Sequence, residues 1–205
     1  MMTLGGKYTF QPDAKLCWLS AMADYSEEFT WEIHLQSAQA VARFHGRTVT
    51  ASYGIHLTSA LRVRDWTALS GQEFEMPPAS LRSAFMFDCD MSSQWEDMSE
   101  IRIQFGETRA GQIEFSAEGR SIVESWPDLF PDGEIKFQID AWLPFRGLAV
   151  FVRPSISDPI SYAKERIRTL APTYMFSDLK IRRTTVGEGR LQIIEVIAPP
   201  LDRRI

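Results

Sequence analysis

Apolar and polar residues alternate through most of this chain. In "FTWEIHLQ", Phe29, Trp31, Ile33 and Leu35 fall on one side and Thr30, Glu32, His34 and Gln36 on the other, the pattern of a half-buried strand. The same period of two recurs in Val49, Ala51, Tyr53 and Ile55, in Ile101, Ile103 and Phe105, in Ile113 and Phe115, and in Ile135, Phe137, Ile139 and Ala141. Strands so closely spaced, with Gly, Pro and Asp between them, predict a mainly β, antiparallel, sandwich-like fold with one face of each strand on a core. Two segments break the rhythm. "SDPISYAKERIRTLAP" predicts a helix, with Asp158 as N-cap, Pro159 at the first helical position, an end before Pro172, and Ile160, Ala163, Ile167 and Leu170 along one side. After it, "LKIRRTTV" and "RLQIIEVIA" flank Gly187 to Gly189 and read as a hairpin, while Cys17 to Met22 is a shorter helix candidate.

Comparison of the chain with itself suggests duplication. Val63, Trp66 and Leu69 correspond to Val123, Trp126 and Leu129 at an offset of 60, each set being V-x-x-W-x-x-L, and "HGRT" ending at Thr48 matches "FGET" ending at Thr108 at the same offset. A β unit of 55 to 60 residues, closed by an aromatic and leucine turn that plugs one end of a sheet, accounts for both sets. The implied divisions are an N-terminal segment and first β unit over 1–88, an acidic connecting loop over 89–98, a second β unit over 99–154, and a helix and hairpin extension over 155–205.

At "VRDWTALSGQEFEMP" followed by "EIRIQFGETRAGQIEFSAEGRSIVES", the chain resembles uncharacterised bacterial proteins in which an R-D-W-x-x-L-x-G turn precedes a strand and an I-R-F-G strand follows. The resemblance covers about Leu61 to Ser125, and the interval from Phe74 to Phe105 departs from the pattern. Such proteins look like immunity or accessory partners of secreted bacterial toxins, so the resemblance implies binding rather than chemistry and transfers no residue role.

Charge narrows the partner class. Residues 1–150 carry 12 Lys and Arg against 21 Asp and Glu, a net −9, while 151–205 carry 10 against 6, a net +4. An acidic body argues against nucleic acid, whose phosphates draw on clustered Lys and Arg. The acids concentrate in "FMFDCDMSSQWEDMSE". Asp88, Asp90 and Ser92 open like a calcium loop, but Ser93 stands where the sharp turn needs glycine and Glu100 comes one residue late for bidentate ligation. An acidic surface with an aromatic anchor remains: Asp88, Asp90, Trp95, Glu96, Asp97 and Glu100 are the candidate contacts for a basic protein, a secreted toxin or effector.

Chemistry is harder to place. His34, His45 and His56 are spaced by eleven residues, and pairing of antiparallel neighbours would bring His34 and His56 together on the polar side, though no assigned carboxylate makes a metal set of them. Ser20, Ser70 and Cys89 lack a nucleophile elbow, and no phosphate-binding glycine loop occurs. No metal, cofactor or catalytic set is therefore expected. Cys17 and Cys89 read as ordinary thiols, and the chain shows no signal-peptide pattern and no apolar run long enough to span a bilayer, which places it in the cytoplasm by expectation. The leading expectation is a non-enzymatic immunity-type binding protein. An adaptor or chaperone for a secreted effector is second. A small hydrolase is third, to be supported by a pocket holding His34 or His56 beside a carboxylate.

Overall fold

The computed structural model describes residues 1–23, 29–44, 46–59, 66–76, 82–89, 92–124, 127–171, 175–176, 178–186 and 191–198. The fold is mainly β. In chain order come β1 (Met2–Leu4), β2 (Tyr8–Phe10), β3 (Trp18–Ala23), β4 (Phe29–Gln36), β5 (Ala40–Phe44) and β6 (Arg47–Ser59), then a 3-10 turn (Trp66–Leu69). They are followed by β7 (Glu73–Met76), β8 (Arg82–Cys89), β9 (Ser92–Arg109), β10 (Gln112–Ile122), β11 (Glu134–Val152), the helix α1 (Pro159–Leu170), β12 (Lys180–Val186) and β13 (Leu191–Ala198).

All thirteen strands belong to one hydrogen-bonded network, in the order β10-β9-β8-β6-β4-β3-β11-β1-β2, and a further pairing of β10 with β11 closes seven of them into a ring. The pairings are antiparallel except that β3 runs parallel to the second half of β11. Two long strands turn the corners. In β9 the partners of β10 skip Ser99, since Arg120 faces Glu100 and Ser121 faces Met98, and the Ser121 hydroxyl donates to the Asp97 carbonyl at 3.1 Å across the irregularity. In β11 the register against β3 shifts between Phe145 and Leu148, where Gly147 holds φ 114. An extra residue bends a strand and tightens its twist, which lets β9 and β11 each pass from one layer to the other. "KFQI" and "GLAVFV" are thus the two arms of one bent strand.

One layer consists of β7, the later part of β9, β10, the first arm of β11, β1 and β2. The other consists of β8, β6, β5, β4, β3, the second arm of β11, β13 and β12. Their inner faces meet in one core, where Leu19, Leu35 and Ile55 from the second layer are buried in the same cluster as Phe105, Phe115 and Ile139 from the first. Tyr53 spans it. The ring packs edge-on against Phe10 at 5.2 Å, and the hydroxyl reaches the carbonyls of Thr3 on β1 and Gln138 on β11 at 3.1 and 3.2 Å. At its own backbone, Tyr53 N–H donates to the buried Ser37 hydroxyl at 3.0 Å.

The helix forms as its cap chemistry requires. Asp158 Oδ1 accepts from Ser161 N at 3.1 Å, Pro159 occupies the first turn, and Ala163, Ile167 and Leu170 are buried. The hairpin β12–β13 follows, with its turn at 187–190 outside the described residues. Cys17 to Met22, by contrast, is not a helix. Trp18–Ala23 is strand β3, with Leu19, Ala21 and Ala23 buried and Trp18, Ser20 and Met22 between them half-buried, and pairing on both edges outweighs the modest helix propensity of Leu, Ala and Met.

Both W-x-x-L motifs end in a buried leucine, Leu69 and Leu129, and each is followed by a positive-φ glycine, Gly71 and Gly133, that leads into β7 or β11. This order is compatible with duplication. Elsewhere the correspondence is looser, because Gly46 turns a hairpin with φ 88 while its counterpart Gly106 lies inside β9. Val63, Trp126 and the Trp66 side chain lie outside the described residues. The proposed boundary over 89–98 is also no loop: its described residues complete β8 and begin β9, and the strands on either side share one core.

Two substitutions test the framework. Tyr53→Phe keeps the ring and removes the hydroxyl that donates across the core to β1 and β11, so it costs about 1–3 kcal/mol in denaturant unfolding; a change within error means that the cross-core bond contributes nothing. Gly147→Ala puts a Cβ on backbone that L side chains rarely adopt and costs about 1–3 kcal/mol, and an unchanged unfolding midpoint would show that the β11 corner does not depend on glycine.

Candidate functional site

The acidic stretch folds as the hairpin β8–β9. Asp88 pairs with Ser93, Met86 with Trp95, Phe85 with Glu96 and Ala84 with Asp97. Asp90 and the side chains of Asp88, Trp95 and Glu96 lie outside the described residues. Asp97 is exposed, and Glu100, beyond the bulge, is exposed on the other layer, with its carboxylate 3.6 Å from Arg120 Nε. The corner in β9 therefore separates Asp97 from Glu100, which face solvent from different layers.

Asp97 has unexpected company. Register carries one row across the second layer, from Trp18 on β3 to His34 on β4, His56 on β6, Ala84 on β8 and Asp97 on β9. Trp18 stacks on His34 with ring centroids 5.4 Å apart and planes 16° apart, and Arg146 from the β11 corner lies over Trp18 at 4.9 Å. His34 and His56 are opposed, 5.8 Å between centroids and 61° between planes. In the neighbouring row, Glu32 Oε1 sits 2.8 Å from His56 Nε2, and the Ser20 hydroxyl donates to Glu32 Oε2 at 3.4 Å. Alternation along β3, β4 and β6 directs these polar groups away from the core.

Burial sets the electrostatics of this row. Trp18, Ser20, Glu32, His34 and His56 are all half-buried, whereas Arg102, Glu114 and Glu118 on the outer side of the first layer are exposed. Partial burial holds the His34 pKa below its ordinary 6.5, and the nearby His56 and Arg146 act the same way against the opposing pull of Glu32. Glu195 on β13 is raised by its own burial, relieved in part by Arg182 and reinforced by Glu32.

A nucleophilic serine needs its hydroxyl on an imidazole, but Ser20 donates to a carboxylate instead. Among the described residues, no three His, Cys, Asp or Glu side chains are placed to hold a metal ion together. What the row offers is a carboxylate-oriented imidazole, His56 with Glu32, beside a second imidazole whose pKa burial lowers. His45 lies outside the described residues. Glu32 was legible in principle, two positions before His34 on the same strand side. Trp18 was masked by the helix reading of its segment, and Arg146 comes from a strand corner that no local pattern announces.

The first layer carries a different feature, a cavity of about 1090 Å³ bordered by the β1–β2 turn, the 129–132 turn and the charged outer positions of β9, β10 and β11. Glu100 lines it. Within it, Arg102 lies 2.6 Å from Glu75 and 3.2 Å from Glu118, and 3.4 Å from Glu73 beside it. Arg120 lies 3.7 Å from Glu134. These pairs are solvent-exposed and contribute little to stability.

No family model, no curated protein and no solved structure matches the chain. Among the described residues, no helix is long and apolar enough to cross a membrane.

The depressed His34 pKa makes stability pH-dependent. The folded state holds fewer protons than the unfolded chain once the pH falls below 6.5, so stability is lost from there down toward the folded-state value and is flat with respect to His34 above it. Denaturant midpoints at pH 7.5 and 5.5 should therefore differ more for the wild-type chain than for His34→Gln. Equal differences would mean that His34 is not desolvated.

Proposed function

We propose that this chain is a non-enzymatic protein-binding protein that takes a basic partner, in the manner of an immunity protein covering the active site of a bacterial toxin. The observation that carries this reading is the row from Arg146 to Asp97, in which an exposed acid of the acidic hairpin stands in register with a run of aromatic and imidazole groups. Most polar groups in the row already have a neighbour: Arg146 lies on Trp18 and donates to the Lys15 carbonyl at 2.8 Å, Trp18 stacks on His34, and His56 meets Glu32. Groups held by one another form a preorganised surface, which favours recognition. The net −9 of residues 1–150 adds attraction for a basic protein and raises its association rate. Asp88, Asp90, Trp95 and Glu96 stay candidate contacts on the strength of the sequence, and Glu100 presents a second acidic contact around the β9 corner.

The adaptor form of this reading differs in outcome: an effector bound by an adaptor keeps its activity, whereas a toxin bound by an immunity protein loses it. A hydrolase reading draws on the 2.8 Å pair of His56 and Glu32, which can act as a general base. The test is capture from the source cells with the wild-type chain and with Asp97→Lys, followed by affinity measurement on the purified partner. A basic protein inhibited in the complex is expected, bound at least tenfold more weakly by the variant. No basic protein, or equal affinity for both chains, would contradict the proposal. Ester hydrolysis abolished by His56→Ala would put the hydrolase in its place.

A further inference from the structure

A surface that recognises a basic protein can be turned off by charge, and the group at the middle of this row is titratable. Strand β3 lies between β11 and β4, so the Trp18 indole has Arg146 on one side at 4.9 Å and the His34 ring on the other at 5.4 Å. On its far side, toward β6, His34 meets the His56 ring 5.8 Å away. We propose, resting on the binding reading above, that this surface is gated by acid: His34 takes up a proton as the pH falls, the row gains positive charge, and the basic partner is released.

The charges around His34 are few. Among the described residues, β11 contributes Arg146, β4 contributes Glu32 and β9 contributes Asp97, a sum of −1 while both imidazoles are neutral. Strand β3 faces His34 with the uncharged Trp18 and Ser20, and β6 faces it with His56. Protonation of His34 brings the sum to zero, and a proton on His56 as well makes it +1. Like charge across an interface suppresses association. The stack favours the open state at neutral pH. An indole face attracts a cation, but Trp18 already carries Arg146, which is anchored by donating to the Lys15 carbonyl at 2.8 Å. Partial burial, with His56 and Arg146, outweighs the pull of Glu32 and holds the His34 pKa below 6.5. The sign follows: the added charge is absent above 6.5 and arrives below it, so binding is independent of His34 at neutral pH and weakens on acidification.

The experiment is calorimetric titration of the full chain with a synthetic oligolysine at pH 7.5 and pH 5.0, at one ionic strength, for the wild type, His34→Gln, His34→Arg and Asp97→Lys. Between the two pH values the wild type is expected to weaken about 3- to 10-fold more than His34→Gln, the effect of one charge added near the probe. His34→Arg, charged at both pH values, is expected to bind weakly already at pH 7.5. Circular dichroism is recorded for each variant, and where His34→Gln does not fold, His34→Asn replaces it. As a second readout on the free chain, the His34 ring signal in NMR, assigned by its loss in His34→Gln, should shift between pH 7.5 and pH 5.0. Equal weakening of the wild type and His34→Gln, full-strength binding by His34→Arg, or an unmoved His34 ring signal overturns the gate and leaves the binding reading standing. No binding by the wild type at pH 7.5, or equal binding by Asp97→Lys, contradicts the binding reading itself, and the gate falls with it.

Discussion

One phenol holds the two layers of this fold to a common spacing. Tyr53 leaves β6 on the core side, crosses the interior beside Phe10, and presents its hydroxyl to carbonyls on two strands of the opposite layer. Burial drives the phenol pKa far up, with Asp140 adding to the effect, so the group stays a neutral donor. A single proton shared between the Thr3 and Gln138 carbonyls is a directional link inside an otherwise non-directional apolar core. Hydrophobic packing alone lets layers slide with small loss; a buried hydroxyl left without its acceptors does not, because desolvation is then uncompensated.

The corners complement that link. β9 and β11 enter both layers, each through a local irregularity, at Ser99 in one and near Gly147 in the other. Their bends decide which outward residues become neighbours. At the β9 corner, Asp97 and Glu100 are sent to different layers. At the β11 corner, Arg146 is carried over Trp18, where it ends the row of aromatic and imidazole groups on β3, β4 and β6. The candidate surface is thus a consequence of strand geometry. Period-two alternation delivers Trp18, His34 and His56 to one side, register aligns them, and a bulge adds the cation. Their half-burial gives the row its electrostatic character, visible in the lowered His34 pKa.

How much of this the chain announces depends on the range of the interaction. Alternation is a local signal, and strand β4 spans Phe29–Gln36 as its pattern demands. The cap of α1 is equally local: Asp158, Pro159 and the buried Ala163, Ile167 and Leu170 all act within three turns. Juxtaposition of His34 with His56 follows from pairing two alternating neighbours, and it is present in the fold. Longer-range facts were hidden. Trp18–Ala23 looks helical in isolation, since only its pairing with β4 and β11 reveals the strand. The acidic stretch looks like a loop because its charges mask the two-residue period of β8 and β9. Arg146 and Trp18 are separated by most of the chain, and Tyr53 reaches Gln138 across 85 residues; no window of sequence contains either contact.

A sheet network that turns two corners and is tied across its core has to open as one cooperative unit. Native-state hydrogen exchange resolves this by comparing amides of Ile33, Ile55 and Leu57 in one layer with those of Ile103, Phe115 and Ile139 in the other. Equal opening free energies for both sets, falling together when denaturant is added, are what the shared strands and the Tyr53 link require. Two separate classes, with one layer exchanging at distinctly lower free energy while the other stays protected, would show that the layers fold independently and that neither the corners nor the phenol couples them.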